Sequence, residues 1–148
     1  MINDTTTLES LMQEWEGVKK NQQKVGTAIR AAGARGTMEA VAVLAQRGGV
    51  RDICYSLVLV LAYGVLQDTL YALRDEGHFQ AGKPGTLAPL GALMKSSQGN
   101  IPWVDFATVD EGRDKRNDVA HNAQVLPHNE CEKYIDAIEQ ELRGWNIL

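Results

Sequence analysis

Cysteine is scarce in this chain of 148 residues, with only Cys54 and Cys131 present. Two distant thiols exclude a disulfide scaffold and form no paired metal-ligand motif. They fit a reducing, cytoplasmic setting, and both fall in apolar stretches where a thiol packs as a small inert hydrophobe. Histidine is limited to three residues. His121 and His128 straddle Pro127 with no cysteine or carboxylate at a useful spacing, so no zinc site and no cofactor is expected. Long apolar runs are lacking too. The longest, residues 53–66, contains Ser56, Tyr63 and Gly64 and falls short of the roughly 20 residues a bilayer demands. It reads as a helix buried in protein, with no membrane span expected. The opening Met1-Ile2-Asn3-Asp4-Thr5 is polar and acidic, unlike a signal peptide.

What is present describes an ordinary globular chain: 44% apolar and 23% charged residues. A single domain over residues 1–148 can bury a core unaided. Its 15 basic and 19 acidic residues leave a formal charge of −4, which argues against a generic nucleic-acid coat. The charge is unevenly spread. Residues 17–38 hold Lys19, Lys20, Lys24, Arg30 and Arg35 and no acid, whereas residues 1–16 hold Asp4, Glu9, Glu14 and Glu16 and no base. A local basic patch of this kind can engage a phosphate chain. A solvated helix face is the plainer account, and Trp15 at its edge is the only aromatic near enough to stack on a base.

The periodicity is helical almost throughout. Leu8, Leu11, Met12, Trp15, Val18, Val25, Ile29 and Ala32 recur at helical spacings. Thr6 and Glu9 stand at capping-box spacing at the start of that run, and Gly33 and Gly36 interrupt its end. A shorter helix is expected over residues 37–46, ended by Gly48-Gly49. Residues 50–74 form the next helix, apolar all round in the first half and so central in the domain. Residues 77–102 are rich in glycine and proline and read as a mobile loop carrying one short helix near 90–96. A further helix follows Pro102 to about residue 122 or 123. After Pro127 a final helix carries Cys131, Tyr134, Ile135, Ile138, Leu142 and Trp145 on one seam. The expected fold is all-α: an up-and-down bundle of four main helices plus one or two short ones.

The stretch with chemical content is Arg116-Asn117-Asp118-Val119-Ala120-His121. On a helical wheel Arg116 falls in the middle of an apolar stripe with Gly112, Val119, Ala120 and Ala123. A guanidinium placed there needs either a carboxylate or an open cleft where an anion completes it. Asn117 and His121, four residues apart, share one side of the helix. One permanent cation and one group that titrates near neutrality suit a phosphodiester. The arginine can neutralise the phosphate, the histidine can move the 2′-hydroxyl proton, and Asn117 can orient either. A structural Arg–Asp pair beside a surface histidine is the plainer account of the same spacing.

This motif resembles that of the HEPN superfamily (higher eukaryotes and prokaryotes nucleotide-binding): an arginine, a polar residue just after it, and a histidine with four to six residues between it and the arginine. In that superfamily it lies on a late helix of a four- or five-helix bundle, as the penultimate helix does here. The resemblance implies a metal-independent endoribonuclease of toxin or defence type. Two copies would bring their motifs into a shared cleft and cut single-stranded RNA through its own 2′-hydroxyl, leaving a cyclic phosphate. Arg116, Asn117 and His121 carry over as the catalytic residues, with Lys19, Lys20, Lys24, Arg30 and Arg35 as RNA-backbone contacts. A homodimer and a nucleotidyltransferase antitoxin are the implied partners. One branch has a tyrosine two residues after the histidine; Ala123 stands there in this chain. Other members bind nucleotides or partners without cutting.

Overall fold

The computed structural model describes residues 1–34 and 49–148. The expected helix over 37–46, together with Gly36 and Arg35, lies outside the described residues. Five helices are described: α1 (Thr5–Ala34), α2 (Val50–Asp75), α3 (Leu90–Ser97), α4 (Phe106–Asn122) and α5 (His128–Gly144). Four are long and one is short, as the periodicity predicts. No strand occurs among the described residues; a single bridge joins Gln98 to Ile101. Helix α1 runs through Gly33 rather than stopping at it.

Helix α2 is the hub and packs against each of the other four. Its buried side includes Leu59, Ala62, Tyr63, Leu66, Leu70 and Leu73, none with measurable exposure. The expectation that its first half is buried all round needs correction. Val50, Ile53, Leu57 and Leu61 are 57%, 43%, 59% and 49% exposed, so α2 has one bare apolar face. Helix α2 is also longer than the apolar run of residues 53–66 on which no membrane span is expected. The helix has 26 residues and is apolar enough by composition to cross a bilayer, but 56% of its most apolar stretch is buried in the fold, as in a core helix.

Local chemistry fixes the helix ends. The carboxylate of Asp4, not the Thr6–Glu9 pair, caps α1 by accepting from the Thr7 N–H at 3.1 Å and from the Thr7 hydroxyl. Glu76, just past α2, accepts from the Asn3 and Asp4 N–H groups and clasps the start of the chain to the end of α2. These bonds hold its carboxyl below the ordinary value. At α4, Asp105 caps the Thr108 N–H at 3.1 Å. Behind that cap, the fully buried Glu141 of α5 accepts from the Val104 and Asp105 N–H groups at 2.7 and 2.6 Å. Burial pushes the Glu141 carboxyl up, against the pull of those two bonds. The carboxylate therefore positions the start of the helix that bears Arg116.

The glycine- and proline-rich connection is more restrained than its composition suggests. The Arg74 guanidinium, 3% exposed, donates to the carbonyls of Ala81 at 3.1 Å and Thr86 at 2.7 Å. The Tyr71 hydroxyl donates to the Ala88 carbonyl at 2.6 Å and accepts from the Ala88 N–H at 2.9 Å. Phe79, within the same segment, is buried in the core. Two α2 side chains thus staple the loop and set where α3 begins.

Replacing Glu141 by alanine leaves two buried N–H groups unmatched and should lower stability by about 3 kcal/mol, measured by urea denaturation. A second expectation concerns Glu14 and Asp68, which meet across α1 and α2. Partial burial, then the Asp68 carboxyl beside it, push Glu14 from 4.5 up to about 7. The folded chain then holds this proton more tightly than the unfolded chain. Its contribution is most favourable below pH 4.5 and is lost as pH rises towards 7. Asp68→Asn should therefore raise the denaturation midpoint more at pH 8 than at pH 5; an equal rise at both would contradict the coupling.

Candidate functional site

The site begins with a close approach. Gly112 of α4 lies against Tyr63 of α2 and Tyr134 of α5, and a Cβ at Gly112 would come within 2.6 Å of the Tyr134 ring. The Tyr63 hydroxyl donates to the Val109 carbonyl of α4 at 2.7 Å. Burial pushes the Tyr63 phenol well above its ordinary value, so it stays a neutral donor. One turn beyond Gly112, the Arg116 guanidinium sits 5.8 Å from the centre of the same Tyr63 ring, within reach of a cation–π contact.

Arg116 is half-buried and meets no carboxylate among the described residues. Its Nε is buried without a hydrogen-bond partner. Burial, which disfavours the charged form, depresses its pKa. The neighbouring Arg113 takes up the available carboxylates instead, pairing with Asp110 at 2.9 Å and Asp114 at 3.2 Å. Of the two alternatives open at the wheel position of Arg116, the open cleft is the one found.

That cleft is a cavity of about 350 Å³. Helix α4 contributes Arg113, Arg116, Asn117 and His121; α2 contributes Gln67; the start of α3 contributes Leu90 and Gly91 after Pro89. The motif residues Arg116, Asn117 and His121 therefore line one space. His121 is exposed in the last turn of α4, and no hydrogen bond orients its ring among the described residues. The apolar stripe drawn through Gly112, Val119, Ala120 and Ala123 is shorter than expected. Gly112 is buried and Val119 partly so, but Ala120 and Ala123 are exposed.

Gln67, Arg113 and Gly91 are additions to the expected set. Arg113 stands three and four residues before Arg116 and Asn117, a spacing that places it on their side. Gln67 is an isolated amide in an apolar helix, which is itself a signal. Gly91 has none in the sequence: a Cβ there would lie 3.2 Å from the Arg113 guanidinium, so its absence lets that side chain lie across the first turn of α3.

The basic segment belongs to a different place. Lys19, Lys20 and Arg30 line a separate groove of about 630 Å³ between α1 and α5, with Tyr55 and Arg143. Three acids interrupt it: Glu16, Glu132 and Glu139. Lys19 is paired with Glu139 at 3.2 Å, and Arg143 with the same carboxylate at 2.9 Å. Lys24 is exposed outside the groove, and Arg35 lies outside the described residues. Lys19, Lys20 and Arg30 line this groove and none of them lines the Arg116 cavity, so the basic segment and the motif are not brought together. His128 is engaged at the start of α5, its Nδ1 3.2 Å from Asp52. No group of His, Cys, Asp or Glu that could hold a metal ion occurs among the described residues.

Fold and site together define an all-helical chain with an unpaired arginine facing a small polar cavity. No family model, curated protein or solved structure matches the chain.

A methyl group at Gly112 must push α4 off Tyr63 and Tyr134. Gly112→Ala should therefore cost about 1–3 kcal/mol. Tyr63→Phe, which loses the bond to Val109 but keeps the ring under Arg116, should cost about 1 kcal/mol. Urea denaturation of both variants checks the order.

Proposed function

We propose that the chain is an endoribonuclease-like protein of the HEPN type, acting in toxin or defence roles and cutting single-stranded RNA without a metal. The observation that carries this reading is the unpaired, half-buried guanidinium of Arg116 on a cavity that also receives Asn117 and His121. A buried cation without a carboxylate is stabilised when an anion enters, and a phosphate matches guanidinium geometry.

The chemistry uses these groups and the RNA, at a cleft that two copies of the chain share. Arg116 holds a phosphate oxygen and offsets the charge that builds as phosphorus becomes five-coordinate. His121 accepts the 2′-hydroxyl proton while the 2′-oxygen bonds to phosphorus. The bond from phosphorus to the 5′-oxygen breaks, and the imidazolium returns the proton to that leaving oxygen. The products are a 2′,3′-cyclic phosphate and a 5′-hydroxyl. Asn117 holds a second phosphate oxygen.

A module that binds nucleotide without cutting it is the second reading. The exposed, unoriented ring of His121 favours it, since a general base works best when another group fixes its tautomer. Under that reading Arg116 and Asn117 still hold phosphate, and a nucleotidyltransferase remains a candidate partner.

A labelled single-stranded RNA incubated with the protein in chelator separates the readings. The wild-type chain should yield fragments ending in cyclic phosphate. His121→Ala should abolish cleavage with the helical circular-dichroism signal intact, and Arg116→Ala should reduce it by about a hundredfold or more. Undiminished cleavage by His121→Ala would end the catalytic assignment. Saturable nucleotide binding without cleavage, lost in Arg116→Ala, would establish the second reading.

A further inference from the structure

The Arg116 cavity has one polar group that the proposed chemistry does not use. It is the amide of Gln67, which comes from α2 and lines the space together with the motif residues of α4. This amide is held in one sense. The Tyr71 hydroxyl has a single proton and donates it to the Ala88 carbonyl at 2.6 Å. The Ala88 N–H donates back to the same oxygen at 2.9 Å and keeps the hydroxyl in place. Towards Gln67, Tyr71 can therefore only accept, and Gln67 Nε2 donates to it at 3.4 Å. The reverse orientation would set the Gln67 carbonyl against the Tyr71 oxygen with no proton between them. Gln67 Oε1 is thus left as a fixed acceptor, and it accepts no hydrogen bond among the described residues.

The rest of the lining sorts a ligand by its chemistry. Arg113 and Arg116 can only donate, so the α4 side takes the anionic part. Pro89, Leu90 and Gly91 bring no charge and no polar side-chain atom. An anion on one side and an uncharged ring on the other is the division found within a nucleotide. Bases of a single strand leave their Watson–Crick and Hoogsteen edges open to such contacts.

We propose that Gln67 reads the base beside the bound phosphate and selects one that carries the exocyclic amino group of adenine or cytosine. The amino N–H donates to Gln67 Oε1. The second proton of Nε2 meets the ring nitrogen next to that amino group. Guanine and uracil carry an oxygen in place of the amine, and two acceptors would then face each other in a half-buried site. The inference rests on the reading of this cavity as a phosphate site, but not on whether the chain cuts RNA.

Adenosine 5′-monophosphate and inosine 5′-monophosphate have the same shape and differ at that amino group, which is an oxygen in inosine. Titration calorimetry of the full chain at neutral pH, without RNA, should give adenosine monophosphate the tighter binding by about tenfold. Gln67→Met keeps the side-chain length and loses both polar atoms. It should weaken adenosine monophosphate to the level of inosine monophosphate with the helical signal unchanged. Tyr71→Phe frees the amide to turn over and should narrow the same ratio. Arg116→Ala should weaken both nucleotides. Equal affinity of the wild-type chain for the two nucleotides, both lost in Arg116→Ala, overturns the base reading and leaves the phosphate site standing. A preference for adenosine monophosphate that persists in Gln67→Met also overturns it. Binding of neither nucleotide, or binding indifferent to Arg116→Ala, removes the phosphate site and the base reading with it.

Discussion

The absence of one methyl group at Gly112 governs the position of α4. Because nothing projects there, the helix backbone lies directly against Tyr63 and Tyr134, and the Tyr63 hydroxyl reaches the Val109 carbonyl. Glu141 fixes the same helix at its start through the N–H groups of Val104 and Asp105. With these restraints at its start and middle, the helix brings Arg116 over an aromatic ring instead of over a carboxylate. The free guanidinium follows from backbone packing as much as from the side chains around it.

Two arginines one turn apart show how finely this divides. Arg113 lies across Gly91 and satisfies itself on Asp110 and Asp114. Arg116 points towards Tyr63 and pairs with no acid among the described residues, and its Nε is buried without a partner. Exchanging a single carboxylate between these surroundings would turn a receptive cation into a structural one. Sequence spacing cannot separate the two cases, since both residues belong to the same short charged run.

Helix order and extent were legible because burial demands periodicity. The seam of Cys131, Ile135, Ile138 and Leu142 is buried where the spacing places it, and Leu66, Leu70 and Leu73 likewise. The bare face of α2 was not legible, because an apolar run looks alike whether its fourth side is covered or open. The cap at Asp4 was missed because Thr6 and Glu9 offered a competing pattern two residues later. The restraint of the loop was missed because Arg74 and Tyr71 act through distant carbonyls, and backbone acceptors leave no mark in composition. For the candidate site, the proximity of Arg116, Asn117 and His121 could be read from one helix. Gln67 and Gly91 come from other helices and needed the tertiary fold.

The pairing of Trp103 with Trp145 has a practical consequence. Trp103 and Trp145 meet edge to face at 4.8 Å, Trp103 also meets Phe106, and the Trp145 indole donates to the Pro102 carbonyl at 2.8 Å. This cluster sits where Glu141 secures the first turn of α4. With Trp15 of α1 replaced by phenylalanine, intrinsic fluorescence would therefore carry an optical record of whether that joint is closed. A shift in its emission would register loosening of the joint before any loss of total helix became visible.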